Sequence, residues 1–133
     1  MLQASLLLRR ALLADGVISG AMGLLLAIAA DALSSALLLP RPLLLQTGLF
    51  CIVYGACVGW LGSRDTLPRP LVWLVIVGNA LWTLGSLALL ISGAVSPNVL
   101  GVGFVAMQAI TVGIFAELQY LGLRRSAPAR TAG

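Results

Sequence analysis

The stretch LVWLVIVGNALWTLGSLALLISG (residues 71–93) decides the fold class of this chain. It contains 23 residues and no charged side chain, and about 20 apolar residues in an α-helix span the roughly 30 Å hydrocarbon core of a bilayer. The polar run SRDTLPRP (residues 63–70) precedes it and Ser96-Pro97-Asn98 follows it. Because these runs have the prolines and polar residues of loops, the stretch between them predicts a transmembrane helix.

Three further apolar segments have a similar length. They lie at about residues 11–30, 43–62 and 99–122, and Pro40-Arg41-Pro42 separates the first two. Apolar residues make up 60% of the chain and charged residues only 9%, whereas a soluble domain carries about 25% charged residues. The sequence therefore predicts an all-α polytopic membrane protein, with a four-transmembrane-helix bundle at residues 1–123 and a flexible cytoplasmic tail at residues 124–133.

The distribution of arginine predicts the orientation of this bundle. Basic residues in short loops concentrate on the cytoplasmic side of a membrane. Seven of the eight basic residues fall on the side that carries both termini, and only Arg41 falls on the other side. We therefore expect both termini in the cytoplasm. The seven residues are Arg9, Arg10, Arg64, Arg69, Arg124, Arg125 and Arg130.

The first segment and the net charge each allow a second interpretation. Ala27-Ile28-Ala29 resembles a signal-peptidase site, but Asp15 interrupts the apolar region that a signal peptide needs, so we expect a retained helix. A net charge of +4 would indicate nucleic-acid binding in a soluble protein. Here the arginines form no stripe with interleaved aromatic residues, so we expect membrane lipid as a partner and no nucleic acid.

Small residues recur at helical spacing on three of the four segments. Helices in lipid associate through close backbone approach, so such stripes mark packing interfaces. We expect the stripes to pack within the bundle, with self-association as the alternative. They consist of Gly16, Gly20, Gly23 and Ala27 on the first segment, Gly48, Gly55, Gly59 and Gly62 on the second, and Gly103, Ala106 and Gly113 on the fourth.

Five polar residues inside the apolar segments are candidates for a site, because a polar residue there costs about 2 to 3 kcal/mol or more unless it is paired or faces water. We expect Asp15 and Glu117 in one layer, about 6 to 8 Å inside the cytoplasmic boundary. Ser19 and Asn79 lie deeper, and Thr83 follows Asn79 on one helix face. One hypothesis is that these residues surround a cavity open to the cytoplasm, where the two carboxylates carry a proton. The alternative is that the carboxylates are interfacial and pair with arginines.

Several chemistries are excluded by composition. The chain has no histidine and no lysine, which excludes histidine ligation of haem, a Ser-His-Asp triad and a lysine Schiff base. Cys51 and Cys57 are six residues apart on one segment and point to different faces of a helix, so we expect two buried small apolar residues and no disulfide between them. We expect no metal, no cofactor and no enzymatic activity.

The aromatic residues fall into two groups by depth. Trp60, Trp73 and Tyr120 lie near the expected cytoplasmic interface, where aromatic belts occur in membrane proteins. Tyr54 and Trp82 lie deeper, and they are expected either to fill the core or to form the wall of a pocket.

Two short stretches, Asn79-Ala80-Leu81-Trp82 and Phe115-Ala116-Glu117-Leu118-Gln119, give the chain a family resemblance. It resembles small, Leu/Ala-rich, four-span bacterial integral membrane proteins of uncharacterised activity. This resemblance implies a bacterial inner membrane and no particular activity. The size and the carboxylate in the first helix are also similar to small multidrug resistance transporters. That family's essential residue is a glutamate and its aromatic pattern is missing here, so its function is not carried over.

The two predicted hairpins end in similar runs, WLGSR (residues 60–64) and YLGLR (residues 120–124), which is consistent with a repeated helical hairpin in parallel orientation. For function, we expect a non-enzymatic small inner-membrane protein that packs through its small-residue faces, as a homo-oligomer or as an accessory subunit of a membrane complex. The alternative is a small transporter or a binder of a lipid-like ligand that uses the cytoplasmic-side Asp/Asn/Glu cluster, with proton coupling as one option.

Overall fold

A computed structural model describes residues 1–128 of the chain. Within them lie five α-helices: α1 (Leu6–Ile28), α2 (Ala30–Leu37), α3 (Arg41–Gly62), α4 (Arg69–Ser92) and α5 (Val99–Arg124). By length and composition, α1, α3, α4 and α5 are each able to cross a membrane. The predicted helical fold with four long apolar helices is therefore confirmed, and the short α2 is an addition to it.

The first helix begins five residues earlier than the predicted segment, because Ser5 caps it. The Ser5 hydroxyl oxygen accepts the backbone N–H of Leu8 at 3.2 Å, as an N-cap does. Arg9 and Arg10 therefore belong to the first turns of α1. Asp15 comes nine residues after the first residue of α1, which places it about 13 Å along the helix.

The helix α2 fills the connection between α1 and α3 and is held by the start of α5. α1 ends where Ala29 leaves the helical conformation, with φ −103° and ψ 23°. Asn98 donates its side-chain N–H to the carbonyl oxygen of Ala36 at 2.7 Å. The side-chain oxygen of Asn98 also accepts the N–H of Gly101 at 2.8 Å, which caps α5. One residue thus fixes the end of α2 and the start of α5.

Three two-residue strands close the opposite end of the bundle. They are β1 (Leu2–Gln3), β2 (Thr66–Leu67) and β3 (Ala127–Pro128), in the antiparallel order β2-β1-β3. We call this end, with residues 1–5, 63–68 and 125–128, the sheet end. Ala127 and Pro128, which fall in the predicted flexible tail, are instead held in the sheet, because β3 pairs with β1. Residues 129–133, with Arg130, lie outside the described residues.

The long helices are arranged in the order α3, α1, α5, α4, with α1 packed between α3 and α5 and with α4 packed on α5. The α1–α3 contact is made by the two glycine stripes. A Cβ atom on Gly16 would lie 2.6 Å from the backbone nitrogen of Gly59, and one on Gly23 would lie 2.6 Å from the carbonyl oxygen of Gly48. A Cβ atom on Gly55 would meet the backbone of Gly20. These stripes pack against each other within the chain.

The third predicted stripe, on α5, is different. A Cβ atom on Gly113 would lie 3.6 Å from the side chain of Thr83 on α4, which is an ordinary packing contact. Gly103 is exposed, and a Cβ atom there would have no neighbour within 4 Å. Gly103 therefore does not contribute to packing within the bundle, because α1 and α4 lie against other faces of α5.

The two similar runs at the ends of the hairpins adopt similar local arrangements. The Arg64 guanidinium lies 5.1 Å from the ring centroid of Trp60, and that of Arg124 lies 6.0 Å from the ring centroid of Tyr120. The glycine in each run, Gly62 or Gly122, is close to the backbone of α1. The match is consistent with a repeated hairpin, although only the first hairpin contains a helix in its connection.

Candidate functional site

Asp15 is the centre of a buried group of polar side chains from all four long helices. Only 1% of Asp15 is exposed. Its Oδ2 atom lies 2.7 Å from the Tyr54 hydroxyl oxygen, 3.0 Å from Nδ2 of Asn79 and 2.8 Å from Nε2 of Gln119. Its Oδ1 atom lies 2.9 Å from the Ser19 hydroxyl oxygen. We call these five residues the polar cluster.

The neighbours of Asp15 also contact one another. Asn79 donates from Nδ2 to Oε1 of Gln119 at 2.9 Å, and its Oδ1 lies 2.7 Å from the Tyr54 hydroxyl oxygen. Asn79 is 4% exposed and Gln119 is fully buried. A polar group in apolar surroundings costs several kcal/mol unless it is hydrogen-bonded, so the five side chains stabilise each other's burial. The cluster ties the four helices together at one level.

Of the five polar residues predicted as a site, the structure brings Asp15, Ser19 and Asn79 together. Thr83 lies one turn beyond Asn79 on α4. Its hydroxyl is 3.1 Å from the Asn79 carbonyl oxygen and 3.2 Å from that of Ala109, so it links α4 to α5 and is not in the cluster.

Glu117 does not join the cluster either, because it is exposed on the outer side of α5. Gln119 takes the place in the cluster that was predicted for Glu117. The reason is helical phase: Gln119 shares the buried face with Phe115, Ala116 and Gly122, at spacings of three and four residues. The small-residue stripe predicted on α5 does not include Gly122, so it did not indicate this face. The Tyr54 hydroxyl was likewise missed, since only core or pocket-wall roles were assigned to Tyr54.

No arginine of residues 1–128 pairs with Asp15. The two ion pairs in this part of the chain join Arg9 to Asp65 at 3.1 Å, at the sheet end, and Arg41 to Asp31, beside α2. The interfacial alternative, in which Asp15 pairs with an arginine, therefore does not describe its surroundings. Asp15 is instead surrounded by uncharged hydrogen-bonding groups.

A cavity of about 210 Å³ lies beside the polar cluster. Ser19, Tyr54 and Asn79 of the polar cluster line it, and Gln108 and Thr111 add two further polar side chains. None of the residues that line it is charged, and most are apolar or aromatic. The larger of these side chains are Met22, Phe50, Trp82, Met107, Val112 and Phe115. The arrangement suits an apolar molecule that carries a neutral polar group.

The cavity adjoins the boundary between α3 and α4, which scarcely contact each other. Grooves of about 600 Å³ and 720 Å³ continue from it along this boundary, which we call the α3–α4 seam. Phe50 crosses the seam and stacks on Trp82, with ring centroids 5.7 Å apart and an interplanar angle of 7°. Within residues 1–128, the Tyr54–Asn79 contact is the one hydrogen bond between α3 and α4. The seam is therefore held by few interactions.

A second polar pair lies on the wall of the cavity. Gln108 on α5 accepts the indole N–H of Trp82 at 2.9 Å and donates to the Ser86 hydroxyl at 2.9 Å. These bonds fix the Trp82 ring, which is the partner of Phe50 across the seam. Trp82 is thus a wall of the cavity, which was one of its two predicted roles.

The two cysteines differ in their surroundings. Cys51 is half-buried and lines the cavity, whereas Cys57 is exposed in the groove of the seam nearer the sheet end. Cys57 is therefore not the buried residue that was expected, because the open seam leaves its face of α3 uncovered. Both thiols are free.

The chain matches no protein-family model, no curated protein and no solved structure. Its resemblance to small four-span bacterial membrane proteins thus stays a prediction. The interpretation of the site therefore depends on its own geometry, which consists of a polar cluster and an adjoining uncharged cavity that opens on one side.

Proposed function

We propose that this chain is a non-enzymatic protein of the bacterial inner membrane that binds a neutral lipophile in the cavity beside the polar cluster. By lipophile we mean a molecule with an apolar body and one uncharged hydrogen-bonding group, such as a hydroxyl or a carbonyl. The observation that carries the proposal is the cavity itself, which opens through the α3–α4 seam and has a polar cluster on one wall. Transport of the lipophile is an extension of this function.

The charges and aromatic residues at the sheet end support its placement in the cytoplasm. The sheet end contains two basic residues, Arg64 and Arg125, and one acidic residue, Asp65. At the opposite end Arg41 is paired with Asp31, so the excess of positive charge lies at the sheet end. Trp73 and Tyr120 pack at the sheet end with ring centroids 5.8 Å apart, as expected of an interfacial aromatic belt. In this orientation both termini are cytoplasmic and the four long helices cross the bilayer.

The position of the opening supports entry of the ligand from the lipid phase. The seam lies between two apolar helices, so in a bilayer it faces acyl chains and not water. The cavity has more than ten times the space that one buried water needs, which is about 10–15 Å³. An empty apolar space forgoes dispersion contacts with the atoms around it. An apolar occupant restores those contacts.

The lining supports a neutral ligand. No charged side chain faces the cavity, so a charged group would lose its hydration there without gaining an ion pair. Phe50, Tyr54 and Trp82 offer aromatic faces for an apolar body. Gln108 and Asn79 lie where a hydroxyl or carbonyl group can form hydrogen bonds. Apolar walls with a few polar groups are typical of ligand pockets.

The proposal is tested with a bromine-labelled long-chain alcohol, because bromine quenches tryptophan fluorescence on contact. The variant Trp60→Phe/Trp73→Phe leaves Trp82, on the cavity wall, as the remaining tryptophan of the chain. In lipid nanodiscs we expect quenching that saturates with the alcohol and is reversed by unlabelled alcohol. Quenching that rises without saturation, as for contact with surrounding lipid, contradicts the proposal.

Two glycines provide a matched pair of variants for this assay. Gly78 lines the cavity and Gly103 lies on the outside of α5, and neither has a neighbour within 4 Å of an added Cβ. Leucine at Gly78 fills the cavity, so Gly78→Leu should weaken binding by about tenfold or more, which corresponds to about 1.4 kcal/mol. Gly103→Leu should bind like the parent. Equal binding by both variants contradicts a ligand in the cavity.

A second candidate function is association with another membrane chain through the outer face of α5. The α1 and α3 stripes are occupied within the chain, but Gly103 and Glu117 are both exposed, and their spacing of fourteen residues places them near one face of α5. This face would serve a homo-oligomer or an accessory subunit. If so, the parent chain should be an oligomer in detergent, and Gly103→Leu should lower its mass. A monomer mass for both the parent chain and the variant contradicts this second function.

A further inference from the structure

The hydrogen bonds of the polar cluster are one hydrogen short. Its five side chains make six close contacts: four at Asp15, one between Asn79 and Gln119, and one between Asn79 and Tyr54. The Ser19 and Tyr54 hydroxyls supply one hydrogen each and the Asn79 amide supplies two. The Gln119 amide supplies one hydrogen to the cluster, toward Asp15 Oδ2. Five hydrogens cannot occupy six contacts. The Tyr54 oxygen is where the shortage falls, since it lies 2.7 Å from both Asp15 Oδ2 and Asn79 Oδ1.

Reversing the amide groups makes the shortage worse. With Asn79 reversed, its oxygen would face Asp15 Oδ2 and Gln119 Oε1, and both contacts would lack a hydrogen. With Gln119 reversed, its oxygen would face Asp15 Oδ2, and its nitrogen would face the nitrogen of Asn79. The assignment with both amide nitrogens toward Asp15 therefore leaves the fewest empty contacts, and the missing hydrogen can come only from the Asp15 carboxyl group.

We propose that Asp15 holds a proton in this closed arrangement, and that the proton controls the α3–α4 seam through Tyr54. In the protonated state, the Asp15 carboxyl O–H donates to the Tyr54 oxygen and the Tyr54 O–H donates to Asn79 Oδ1. All six contacts then contain a hydrogen. The inference rests on the proposed function, because it describes how access to the same cavity is regulated.

Release of the proton rearranges the hydrogen bonds at the seam. The Asp15 O–H bond breaks, the proton passes to a water molecule as hydronium, and the bonding electrons stay on the carboxylate. The Tyr54 O–H then turns to Asp15 Oδ2, which leaves Asn79 Oδ1 facing the Tyr54 oxygen with no hydrogen between them. Since Tyr54–Asn79 is the hydrogen bond that joins α3 to α4, its loss favours an open seam. The closed seam binds the proton, so lowering the pH favours closure.

The groups that face Asp15 are uncharged on every helix. Ser19 contacts it from α1, Tyr54 from α3, Asn79 from α4 and Gln119 from α5. The Cys51 thiol on α3 is a further titratable group near Asp15. In the part of the chain that the structure describes, both ion pairs lie elsewhere. Nothing cationic there compensates an ionised Asp15, and a charge at membrane depth is costly without such a partner. The environment is therefore consistent with a bound proton.

The proton is detected by infrared spectroscopy in a variant with a single acidic side chain. The chain has four acidic residues, and Asp31→Asn/Asp65→Asn/Glu117→Gln leaves Asp15 alone. In nanodiscs at about pH 7, far above the ordinary carboxyl range near 4, we expect the C=O stretch of a protonated carboxylic acid. Further substitution Asp15→Asn should remove this band. Its absence before that substitution overturns the proposal.

Opening is measured by the distance between spin labels on either side of the seam. Cys57 on α3 carries one label and Leu74→Cys on α4 the other, in a Cys51→Ala background, and both positions line the groove near the sheet end. From about pH 4 to about pH 9, the mean distance should lengthen by about 2 Å or more. Tyr54→Phe should abolish this change, whereas Glu117→Gln, on the outside of α5, should retain it.

The outcomes separate this inference from the proposed function. A distance that does not change with pH, or a change that persists in Tyr54→Phe, overturns proton control of the seam. Saturable quenching of Trp82 by the brominated alcohol then still supports the binding function. Conversely, a pH-dependent seam without saturable quenching supports proton control and contradicts the lipophile. Helical circular dichroism of each variant confirms that it is folded.

Discussion

The two faces of α3 form very different interfaces. Toward α1, its glycines allow backbone atoms to meet, and a Cβ atom on Gly16 would lie only 2.6 Å from the backbone nitrogen of Gly59. Toward α4, the same helix presents Phe50 and Tyr54 and leaves a seam with a cavity. The first interface has no room for a ligand, and the second is held by an aromatic stack and one hydrogen bond between side chains.

This difference separates stability from binding on a single helix. Helices in lipid are held by dispersion and by close packing of small residues, so the α1–α3 interface supplies a rigid pair. The α3–α4 seam has few such contacts, and regions with few contacts open at low free-energy cost. We therefore expect substitutions at the α1–α3 interface to change stability and substitutions at the seam to change ligand binding.

The largest effect on stability is expected for Gly16→Ala. The new Cβ would lie 2.6 to 2.9 Å from the backbone of Gly59 and Gly55, which forces α1 and α3 apart. We expect a loss of about 3 kcal/mol in the free energy of unfolding, measured by titration with a denaturing detergent. The control is Gly20→Ala on the same helix, where an added Cβ atom would have no neighbour within 4 Å. Similar losses in the two variants would contradict the close packing.

A smaller loss is expected for Asn79→Leu in the polar cluster. This substitution removes the donors to Asp15 and Gln119 and leaves buried oxygens unpaired, at a cost of about 2 kcal/mol. The same detergent titration is compared with Thr83→Val on the same helix. Thr83 bonds only backbone carbonyls, and its loss should cost about 0.6 kcal/mol. Equal costs would indicate that the cluster does not stabilise the bundle.

Phe50→Leu tests the seam directly. Phe50 is 56% exposed, so losing its stack on Trp82 should lower the free energy of unfolding by only about 1 kcal/mol. Saturable quenching of Trp82 by the brominated alcohol should weaken more clearly than stability does. Leu49→Ala, at the exposed neighbouring position, is the control for quenching. A large loss of stability with unchanged quenching would contradict the assignment of stability to the α1–α3 interface and of binding to the seam.

The smallest effect is expected at the exposed pair of Asp31 and Arg41, which belongs to neither interface. Their side chains are 82% and 54% exposed, and exposed ion pairs contribute about 0.5 kcal/mol or less. Asp31→Asn should therefore leave detergent unfolding and Trp82 quenching almost unchanged. The small difference between this variant and the parent chain should stay small when salt is added. A loss similar to that of Asn79→Leu would show that α2 stabilises the bundle more than its contacts suggest.

Much of the fold could be predicted from hydropathy and from loop residues. The four long helices follow from segment length and from the positions of the polar and proline residues between them. The earlier start of α1 depends on the Ser5 cap, which hydropathy does not report. The helix α2 and the small sheet are stabilised by contacts between distant residues, such as Asn98 with Ala36, and no local pattern predicts those.

The site could be predicted only in part. Residue type located Asp15, Ser19 and Asn79, because polar side chains are rare in apolar segments. Helical phase could not choose Gln119 over Glu117, because Glu117 lies four residues from Gly113 of the predicted stripe and the burial of Gly122 follows from the structure alone. A cavity beside these residues was one hypothesis, but its position was not predictable, because it depends on which helices are neighbours. That α3 and α4 scarcely contact each other follows from the structure alone.

The most direct test of lateral binding is photolabelling with a long-chain alcohol that carries a diazirine, followed by mapping of the adducts by mass spectrometry. In nanodiscs, we predict adducts on the residues of α3 and α4 that line the cavity, which are Phe50, Cys51, Tyr54, Gly78, Asn79 and Trp82. An excess of unlabelled alcohol should remove them. Adducts confined to outward-facing residues such as Ile91 and Ile114, and unaffected by the competitor, would contradict the account.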